Sequence, residues 1–308
     1  MAMARAVYSK LMRAVGEGRF VFTGEVEPLK TADAEGIVRA AERLRDWTVA
    51  CNVTDNPRAR AYMSSVAASH IMQSRTGVEA VCQMTVRDRN RIALQSDILG
   101  AAALGIRNVL TMSGDHTTFG DNPQAMPVYD IDTAHFVRMV RLMVDEGCDL
   151  AGNRVAGEVG LHVGITGNPN AEPLEMEIMK IEKKVELGAE FMQTQATFDI
   201  ERAKEFLREM GRLEIPVILG IFPCRSYATA EYLRSSVPGI TVPDEFMEQM
   251  KRADAAQDRS RQREKIDDVN IEFFSSMIKE LRKTERLAGM HVMTIGYERI
   301  VKALAEKV

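Results

Sequence analysis

The sequence predicts an α/β protein built as a (β/α)8 or TIM barrel, with a helix before the first strand and a helical insertion before the last βα unit. Eight short runs of apolar or β-branched residues alternate with longer segments of helical period, which is typical of consecutive parallel βαβ units. The first predicted strand leads into GEVEPLKT and lacks the G-x-G-x-x-G motif of a dinucleotide-binding open sheet. Because eight right-handed units can close into a cylinder, these two observations favour a barrel.

The elements follow in order from local patterns. A helix before the first strand is expected to cover the bottom of the barrel. The strands are predicted at residues 20–25, 49–53, 80–84, 108–112, 161–165, 191–195, 217–221 and 291–295. Apolar residues recur at i, i+3 and i+4 in the predicted helices at residues 34–46, 89–104, 133–145, 173–187 and 200–212. Gly105, Gly147 and Gly188 each stand between a helix and a strand, which predicts left-handed helix ends.

One domain is predicted over residues 1–308, with the barrel core at residues 19–296. The length also permits two domains, but the series of strand–helix units decides for one barrel. Two segments interrupt the alternation. Residues 115–132 contain glycine, asparagine and proline and are expected to form a loop, and the charge-rich residues 238–268 form the predicted helical insertion.

Composition argues against several classes of protein. The 40 Lys and Arg residues nearly balance the 44 Asp and Glu residues, so the formal net charge is −4 and nucleic-acid binding is not expected. The cysteines Cys51, Cys82, Cys148 and Cys224 form no C-x-x-C pair, which fits free thiols in a reducing compartment. The sequence has no run of about 18 apolar residues and no signal-peptide h-region, so we expect a cytoplasmic chain without a membrane span.

Catalytic side chains of a (β/α)8 barrel lie where its strands end. The residues predicted at these ends are Glu25, Asn52, Thr54, Asp55, Gln83, Thr85, Ser113, Gly114, Asp115, Thr166, Gln193, Gln195, Cys224, Arg225 and Thr294. The set contains neither histidine nor lysine, so neither a metal site nor a Schiff base is expected. Amides such as Gln83 and Gln195 suit the edge of a flat heterocycle, and Glu25 or Asp115 can move a proton.

Each candidate also has a structural explanation. Glu25 can form a salt bridge, and Gln195 can be a satisfied core amide. Lys183 and Lys184 could reach a phosphate, but they also fit a solvated helix face. Residues 113–115 are compatible with a simple turn. The placement of the candidates at consecutive strand ends is what favours a shared site.

Several segments, taken in chain order, carry a family resemblance. They are Glu25-Val26-Glu27-Pro28-Leu29-Lys30 after the first strand, Gly105-Ile106-Arg107-Asn108-Val109-Leu110 followed by Ser113-Gly114-Asp115, Lys183-Lys184-Val185-Glu186-Leu187-Gly188-Ala189 leading to Gln193-Thr194-Gln195 with Phe198-Asp199, and Gly220-Ile221-Phe222-Pro223. In this order and on these strands they resemble the methylenetetrahydrofolate reductase family, flavoproteins with a (β/α)8 barrel. The resemblance covers residues 20–297, and no single motif is decisive.

The resemblance implies an activity and a set of roles. It implies that bound reduced flavin passes a hydride to 5,10-methylenetetrahydrofolate and gives 5-methyltetrahydrofolate. Glu25 is then the general acid, because opening the methylene bridge needs a proton on nitrogen and a desolvated carboxylic acid can supply it. Asp115 is implied as a second catalytic residue that contacts both pterin and flavin. Substrate contacts are implied for Gln195, Asp115 and Tyr297, and cofactor contacts for Asn52, Gln83, Ser113, Gly114, Asp115, Thr166 and Lys184.

The chain departs from the nicotinamide-using members of the family. Asn52 stands where Thr is common, Gln83 where His is common, and Ser113 where Arg is common, which removes a phosphate partner. The resemblance therefore leaves FAD and FMN open and counts against direct use of NADH or NADPH. Similar subunits of acetogenic one-carbon pathways pair with a cysteine-rich subunit carrying zinc or iron–sulfur centres, so an electron-supplying partner and an oligomer are expected.

Two other functions stay open from the sequence. A flavin-free methyltransferase barrel would use the same amides and carboxylates to hold a pterin. A non-catalytic barrel subunit of a larger one-carbon complex would tolerate the departures at Gln83, at Ser113 and at Leu233, near which the family aligns an aromatic ring stacked on a nicotinamide. A flavin spectrum separates the first alternative from the reductase, and the effect of Glu25→Gln on turnover separates the second.

Overall fold

The strands of the computed structural model close into a parallel barrel. The structure describes residues 5–237, 239–284 and 286–308, and the strands found there pair in chain order, with the last returning to the first. They are β1 Val21–Val26, β2 Ala50–Val53, β3 Ala80–Thr85, β4 Asn108–Met112, β5 His162–Gly167, β6 Phe191–Ala196, β7 Val217–Ile221 and β8 Leu287–Val292. The predicted fold class is confirmed, and β1 to β7 end within one or two residues of their predicted bounds.

Helices cover the outside and the bottom of the barrel. They are α1 Lys10–Gly16, α2 Glu35–Leu44, α3 Ser65–Thr76, α4 Arg91–Ala103, α5 Thr133–Arg141, α6 Leu174–Glu186, α7 Ile200–Gly211, α8 Tyr227–Ser236, α9 Asp244–Asp254, α10 Arg259–Leu281 and α11 Arg299–Lys307. Gly105, Gly147 and Gly188 have φ angles of 77°, 62° and 105°, so the left-handed conformation predicted for them is confirmed. In the part of the chain that is described, no helix combines the length and apolarity needed to cross a membrane.

The last strand begins earlier than the sequence predicts. β8 covers Leu287–Val292, whereas the prediction was residues 291–295, which is wrong. The strand starts with a leucine, an alanine and Gly289, a run of low strand propensity, and this explains the error. Gly289 fits because a Cβ atom at this position would lie 2.1 Å from the backbone oxygen of Val21 on β1. The corrected register moves His291 from the start of the strand to its carboxyl half.

The interior of the barrel changes from apolar to polar along its axis. The bottom layer joins α1 to six strands through the buried residues Leu11, Ala14, Val21, Ala50, Val81, Leu110, Phe191 and Ile218. The N-terminal helix therefore covers the barrel bottom as predicted. Because strand side chains alternate between two faces, residues two positions further along also point inward. On four strands these next residues are polar, namely Thr23, Asn52, Gln83 and Gln193.

Helices occupy the predicted insertion. Residues 238–268 contain α9 and the first turns of α10, and Pro238, with which the predicted segment begins, lies outside the described residues. The Phe246 ring of α9 lies 5.5 Å from the Phe198 ring and 4.8 Å from the Phe273 ring of α10, measured between centroids. These aromatic contacts attach the insertion to the barrel beside the end of β6.

Candidate active site

A cavity of about 420 Å³ opens at the carboxyl ends of the strands. A volume of this size is typical of small-molecule sites. Eight of the residues predicted for the site line it, namely Glu25, Asn52, Gln83, Ser113, Gly114, Asp115, Thr166 and Gln195. The structure thus brings most of the predicted residues together in one place.

A second cavity, of about 430 Å³, lies beside the first and shares Asn168 with it. Its lining includes Glu172, Asp199 and Arg202. Glu172 and Arg202 form an ion pair, and Asp199 caps the N-terminus of α7. None of the residues predicted for the site lines this cavity, so the mouth cavity is the candidate active site.

Glu25 stands at the wall of the mouth cavity. It is near the end of β1, in register with Asn52 of β2, and its side chain is 11 % exposed. Its Oε2 atom lies 3.4 Å from Nε2 of His291. The Thr294 hydroxyl donates a hydrogen bond of 3.0 Å to the backbone oxygen of Glu25 and holds the strand end in place. A largely desolvated carboxyl group that borders a cavity is suited to proton transfer.

A chain of buried polar side chains continues behind Glu25. Nδ1 of His291 lies 3.0 Å from the Thr23 hydroxyl, and Nε2 of Gln193 donates to the same hydroxyl oxygen at 3.2 Å. The amides of Gln193 and Asn52 bond each other twice, at 2.6 and 3.0 Å. Asn52 therefore borders the cavity with its amide already paired to a protein group.

Two other buried polar side chains at the cavity lack such partners. The Oγ1 atom of Thr54 is buried without a hydrogen bond to any part of the chain that the structure describes. The Gln83 side chain is also buried, and it forms no side-chain hydrogen bond to the described residues. An unpaired buried hydroxyl such as that of Thr54 costs about 1–3 kcal/mol, and the amide of Gln83 is available to a ligand in the cavity.

Gly114 and Asp115 follow β4 and shape the rim of the cavity. Gly114 has a φ of 81°, and a Cβ atom there would lie 3.0 Å from Cγ2 of Thr85, so both the backbone conformation and the close approach favour glycine. Oδ2 of Asp115 accepts the backbone N–H of Arg58 at 2.8 Å. Nη1 of Arg87 donates to the backbone oxygen of Asp115 at 2.9 Å. The rim is thus tied to the loop after β2.

Of the ten residues that the resemblance implies for the site, Lys184 and Tyr297 lie outside the cavity lining. Nζ of Lys184 donates to the backbone oxygen of Thr166 at 3.3 Å, and burial lowers the pKa of Lys184. Lys184 therefore lies directly behind a lining residue. The Tyr297 hydroxyl donates to Asp267 of α10, and burial, followed by this hydrogen bond, raises the pKa of Tyr297. The Tyr297 hydroxyl therefore bonds to α10 and does not face the mouth cavity.

His291 and Arg87 line the cavity although the sequence analysis did not place them there. His291 was missed because the predicted start of β8 was four residues too late. Arg87 continues the inward alternation of Gln83 and Thr85 beyond the end of β3, and this spacing is the signal that could have found it. The prediction that no histidine lies at the mouth is wrong, since His291 lines the cavity. Three residues predicted at the mouth are not among the lining residues, namely Cys224, Arg225 and Thr294.

The fold and the cavity together define a class of protein. This is a (β/α)8 barrel with a small-molecule site at the carboxyl ends of its strands, where the carboxyl group of Glu25 meets several amide and hydroxyl groups. The chain belongs to the methylenetetrahydrofolate reductase family, because the sequence model of the family described as "Methylenetetrahydrofolate reductase" matches residues 10–308.

Curated relatives share low sequence identity with the chain. Methylenetetrahydrofolate reductase 1 of Schizosaccharomyces pombe is 19% identical over 98% of this chain and 48% of its own length. A probable methylenetetrahydrofolate reductase (NADPH) of Caenorhabditis elegans is 25% identical over 61% of this chain and 26% of its own length. The 5,10-methylenetetrahydrofolate reductase of Pectobacterium carotovorum is 22% identical over 74% of this chain and 72% of its own length. The chain thus spans about a quarter to a half of the eukaryotic relatives.

A solved structure shares the fold. The crystal structure of DmoA from Hyphomicrobium sulfonivorans superposes with a TM-score of 0.55 and 10% sequence identity, covering 93% of this chain and 86% of that chain. At this identity the likeness shows the barrel architecture alone.

Proposed function

We propose that the protein reduces 5,10-methylenetetrahydrofolate to 5-methyltetrahydrofolate in a flavin-dependent reaction, with Glu25 as general acid. The observation that carries the proposal is the desolvated Glu25 carboxyl group at the mouth cavity of a chain that belongs to this family. The names of the relatives support the choice of substrate.

The work assigned to Glu25 is the delivery of one proton. Opening the methylene bridge of the folate requires a proton on a ring nitrogen, since the nitrogen otherwise leaves as an anion. Glu25 borders the cavity with a side chain that is 11 % exposed, so its carboxyl group is positioned to deliver this proton to the substrate. In the described residues Oε2 has His291 as its partner, and Oε1 has no hydrogen-bond partner.

The residues of the cavity fit a flavin. When bound, reduced FAD or FMN would supply the hydride that the one-carbon unit accepts. The unpaired side chain of Gln83 can bond to the edge of the ring system. Asn52, Ser113, Gly114, Asp115 and Thr166 are proposed as further contacts, and Lys184 is proposed as a cation for a phosphate group. The buried Thr54 hydroxyl, which also lacks a partner, adds support.

The folate is proposed to contact Gln195 and Asp115 at the same cavity. The side-chain oxygen of Gln195 accepts the backbone N–H of Ala196 at 3.0 Å, which orients the amide. The carboxylate of Asp115 is held by Arg58 at the rim. A contact between Tyr297 and the folate tail stays a prediction and is not part of this proposal, because its hydroxyl bonds to Asp267.

The source of electrons is proposed to be a partner subunit with zinc or iron–sulfur centres, within a larger oligomer. The proposal rests on the departures from the nicotinamide-using members at Asn52, Gln83 and Ser113. Oxidation of NADH at full rate by the purified single chain would refute it. The mass and absorption spectrum of the released cofactor identify the flavin.

The test of Glu25 is the single-turnover oxidation of chemically reduced holoenzyme by methylenetetrahydrofolate, followed by flavin absorbance. Because a general acid contributes about 10²–10⁴-fold to a rate, Glu25→Gln is expected to slow this step by that factor. Glu42→Gln, which changes a half-exposed carboxylate on α2, serves as the matched control and is expected to leave the rate unchanged.

Three outcomes would contradict the proposal. An unchanged rate in Glu25→Gln would remove the catalytic role and favour a non-catalytic subunit. A purified protein that binds folate without any flavin would favour the methyltransferase barrel. Equal losses in Glu25→Gln and Glu42→Gln would contradict a role specific to Glu25, because the rate would then fall with the loss of either carboxylate.

A further inference from the structure

We infer that His291 is the positioning residue of Glu25, and that it acts as a neutral imidazole with its proton on Nε2. The inference rests on the proposed role of Glu25 as general acid. Register places His291 of β8 beside Thr23 of β1, two residues before Glu25 on the same strand. The imidazole therefore lies between the buried Thr23 hydroxyl and the carboxyl group, 3.0 Å from the first and 3.4 Å from the second.

The direction of each hydrogen bond follows from the groups available. Asn52 and Gln193 exchange one amide bond in each direction, and Nε2 of Gln193 also donates to the Thr23 hydroxyl oxygen. Among the described residues Nδ1 of His291 is the one acceptor found for the Thr23 hydroxyl proton, so we assign the hydroxyl as the donor to Nδ1. A neutral imidazole that accepts at Nδ1 carries its proton on Nε2. That proton points to Oε2 of Glu25.

This arrangement decides which oxygen of Glu25 carries the acidic proton. Because Oε2 accepts the Nε2–H of His291, the proton of the carboxylic acid belongs on Oε1. In the proposed reaction the O–H bond at Oε1 breaks, an N–H bond forms on the substrate, and Glu25 is left as a carboxylate. His291 keeps its own proton throughout, and its hydrogen bond is retained by the charged product of the transfer, where it is stronger.

The position of the polar chain also argues for a role beyond packing. The layer below it, which includes Val21 and Phe191, is apolar, as is usual inside a (β/α)8 barrel. A buried polar chain is favourable only when its members are paired. Asn52, Gln193, Thr23 and His291 form hydrogen bonds with one another in this order. The series of polar side chains ends at the cavity with Glu25.

The tautomer can be observed directly, without activity. Holoenzyme labelled with ¹⁵N-histidine is expected to show His291 with a protonated Nε2 and an unprotonated, hydrogen-bonded Nδ1, its signals assigned by their loss in His291→Gln. Thr23→Val removes the donor to Nδ1. This variant is expected to abolish the change in the ¹⁵N chemical shift of Nδ1 that the hydrogen bond causes. A protonated Nδ1 in the unaltered protein would overturn the inference.

Kinetics test the positioning. His291→Phe keeps the ring volume but removes the donor, and we expect the single-turnover rate to fall by about 10- to 100-fold, since a small misplacement of a catalytic group has effects of this size. The KM for methylenetetrahydrofolate is expected to stay within about twofold, because His291 acts on Glu25 and not on substrate binding. His291→Gln, whose amide N–H can reach Oε2, is expected to recover most of the rate.

Two further variants separate the possible failures. His291→Asn carries a similar amide that is too short to reach Glu25, so it should stay slow, and the Gln and Asn pair tests the inference even if the Phe variant does not fold. His70→Phe on α3 is the control for changing a histidine elsewhere. An inactive Glu25→Gln with a fully active His291→Phe would overturn this inference alone, whereas a fully active Glu25→Gln would overturn the proposed function.

Discussion

Asp55 shows how single residues hold the mouth of the barrel. Its Oδ2 atom accepts the backbone N–H of Thr85 at 2.8 Å and Nη1 of Arg89 at 2.6 Å, and its Oδ1 atom accepts Nη2 of Arg89 at 3.1 Å. The carboxylate is buried, and Arg89 is largely buried with it. Removing Asp55 would leave the largely buried Arg89 with only the more exposed Asp97 as its partner, and would leave the buried Thr85 N–H without its acceptor, which is more damaging than replacing both partners of the pair.

Asp55→Ala is therefore expected to lower the free energy of unfolding by about 3–5 kcal/mol. Asp97→Ala provides the matched control, because Asp97 bonds Nε of the same Arg89 at 2.7 Å but its side chain is 37% exposed. The control is expected to lose less than about 1 kcal/mol. Urea denaturation of both variants measures the difference, and similar small losses would show that burial of Asp55 is not what matters.

At the site, the sequence predicts which residues stand at the strand ends but not which residues they bond. Glu25 and Gln83 could be predicted because strand ends of a parallel barrel meet at one face, whatever their neighbours are. The partners of these residues could not be predicted in the same way. The pairing of Thr23 with His291 joins the first and last strands, across 268 positions of the chain, and only the register of the closed barrel brings them together.

At the scale of elements, the predictions succeeded where the local pattern agrees with the fold. The strands from β1 to β7 contain β-branched or apolar runs bounded by clear turn residues, so their bounds were close to those observed. β8 was misplaced because tertiary contacts override local propensity there. The backbone of Gly289 approaches the backbone oxygen of Val21 on β1 so closely that a side chain at this position would clash with it. Such a contact has no signature in the residues next to it along the chain.

Gly289→Ala tests the observed register of β8. The added methyl group would lie 2.1 Å from the Val21 backbone oxygen, so one strand must shift, and we expect a loss of about 1–3 kcal/mol or more in the free energy of unfolding. Gly100→Ala in α4, where nothing lies within 4 Å of the new atom, is the control and is expected to gain about 1 kcal/mol. If β8 instead began at residue 291, as the sequence suggests, Gly289→Ala would be tolerated, and thermal denaturation distinguishes the two cases.

At the scale of the whole molecule, stability and function are divided between the two ends of the barrel. The bottom is closed by the apolar layer with Leu11 of α1. The mouth is held mainly by charged and polar contacts, and the loop at residues 113–132 is tied down by carboxylates. Lys30 bonds Asp121, whose pKa is lowered to about 2 by that hydrogen bond, and Arg91 bonds Asp130, whose pKa is likewise lowered to about 2.

This division predicts that acid opens the mouth loop before the barrel unfolds. A carboxylate whose pKa is lower in the folded protein than its usual value near 3.8 stabilises the fold above that value, and this contribution is lost as the pH falls through about 2. The apolar layer around Leu11 contains no ionisable side chain. We therefore expect pepsin to cut the loop near the exposed Phe119 increasingly between pH 4 and pH 2, while far-ultraviolet circular dichroism still reports a folded barrel.

Asp121→Asn lacks the charge at every pH, so its loop should be cut already at pH 4. High salt screens exposed ion pairs and should therefore also increase cleavage of the unaltered protein. Cleavage that appears only together with loss of the barrel signal would show that mouth and bottom unfold as one unit.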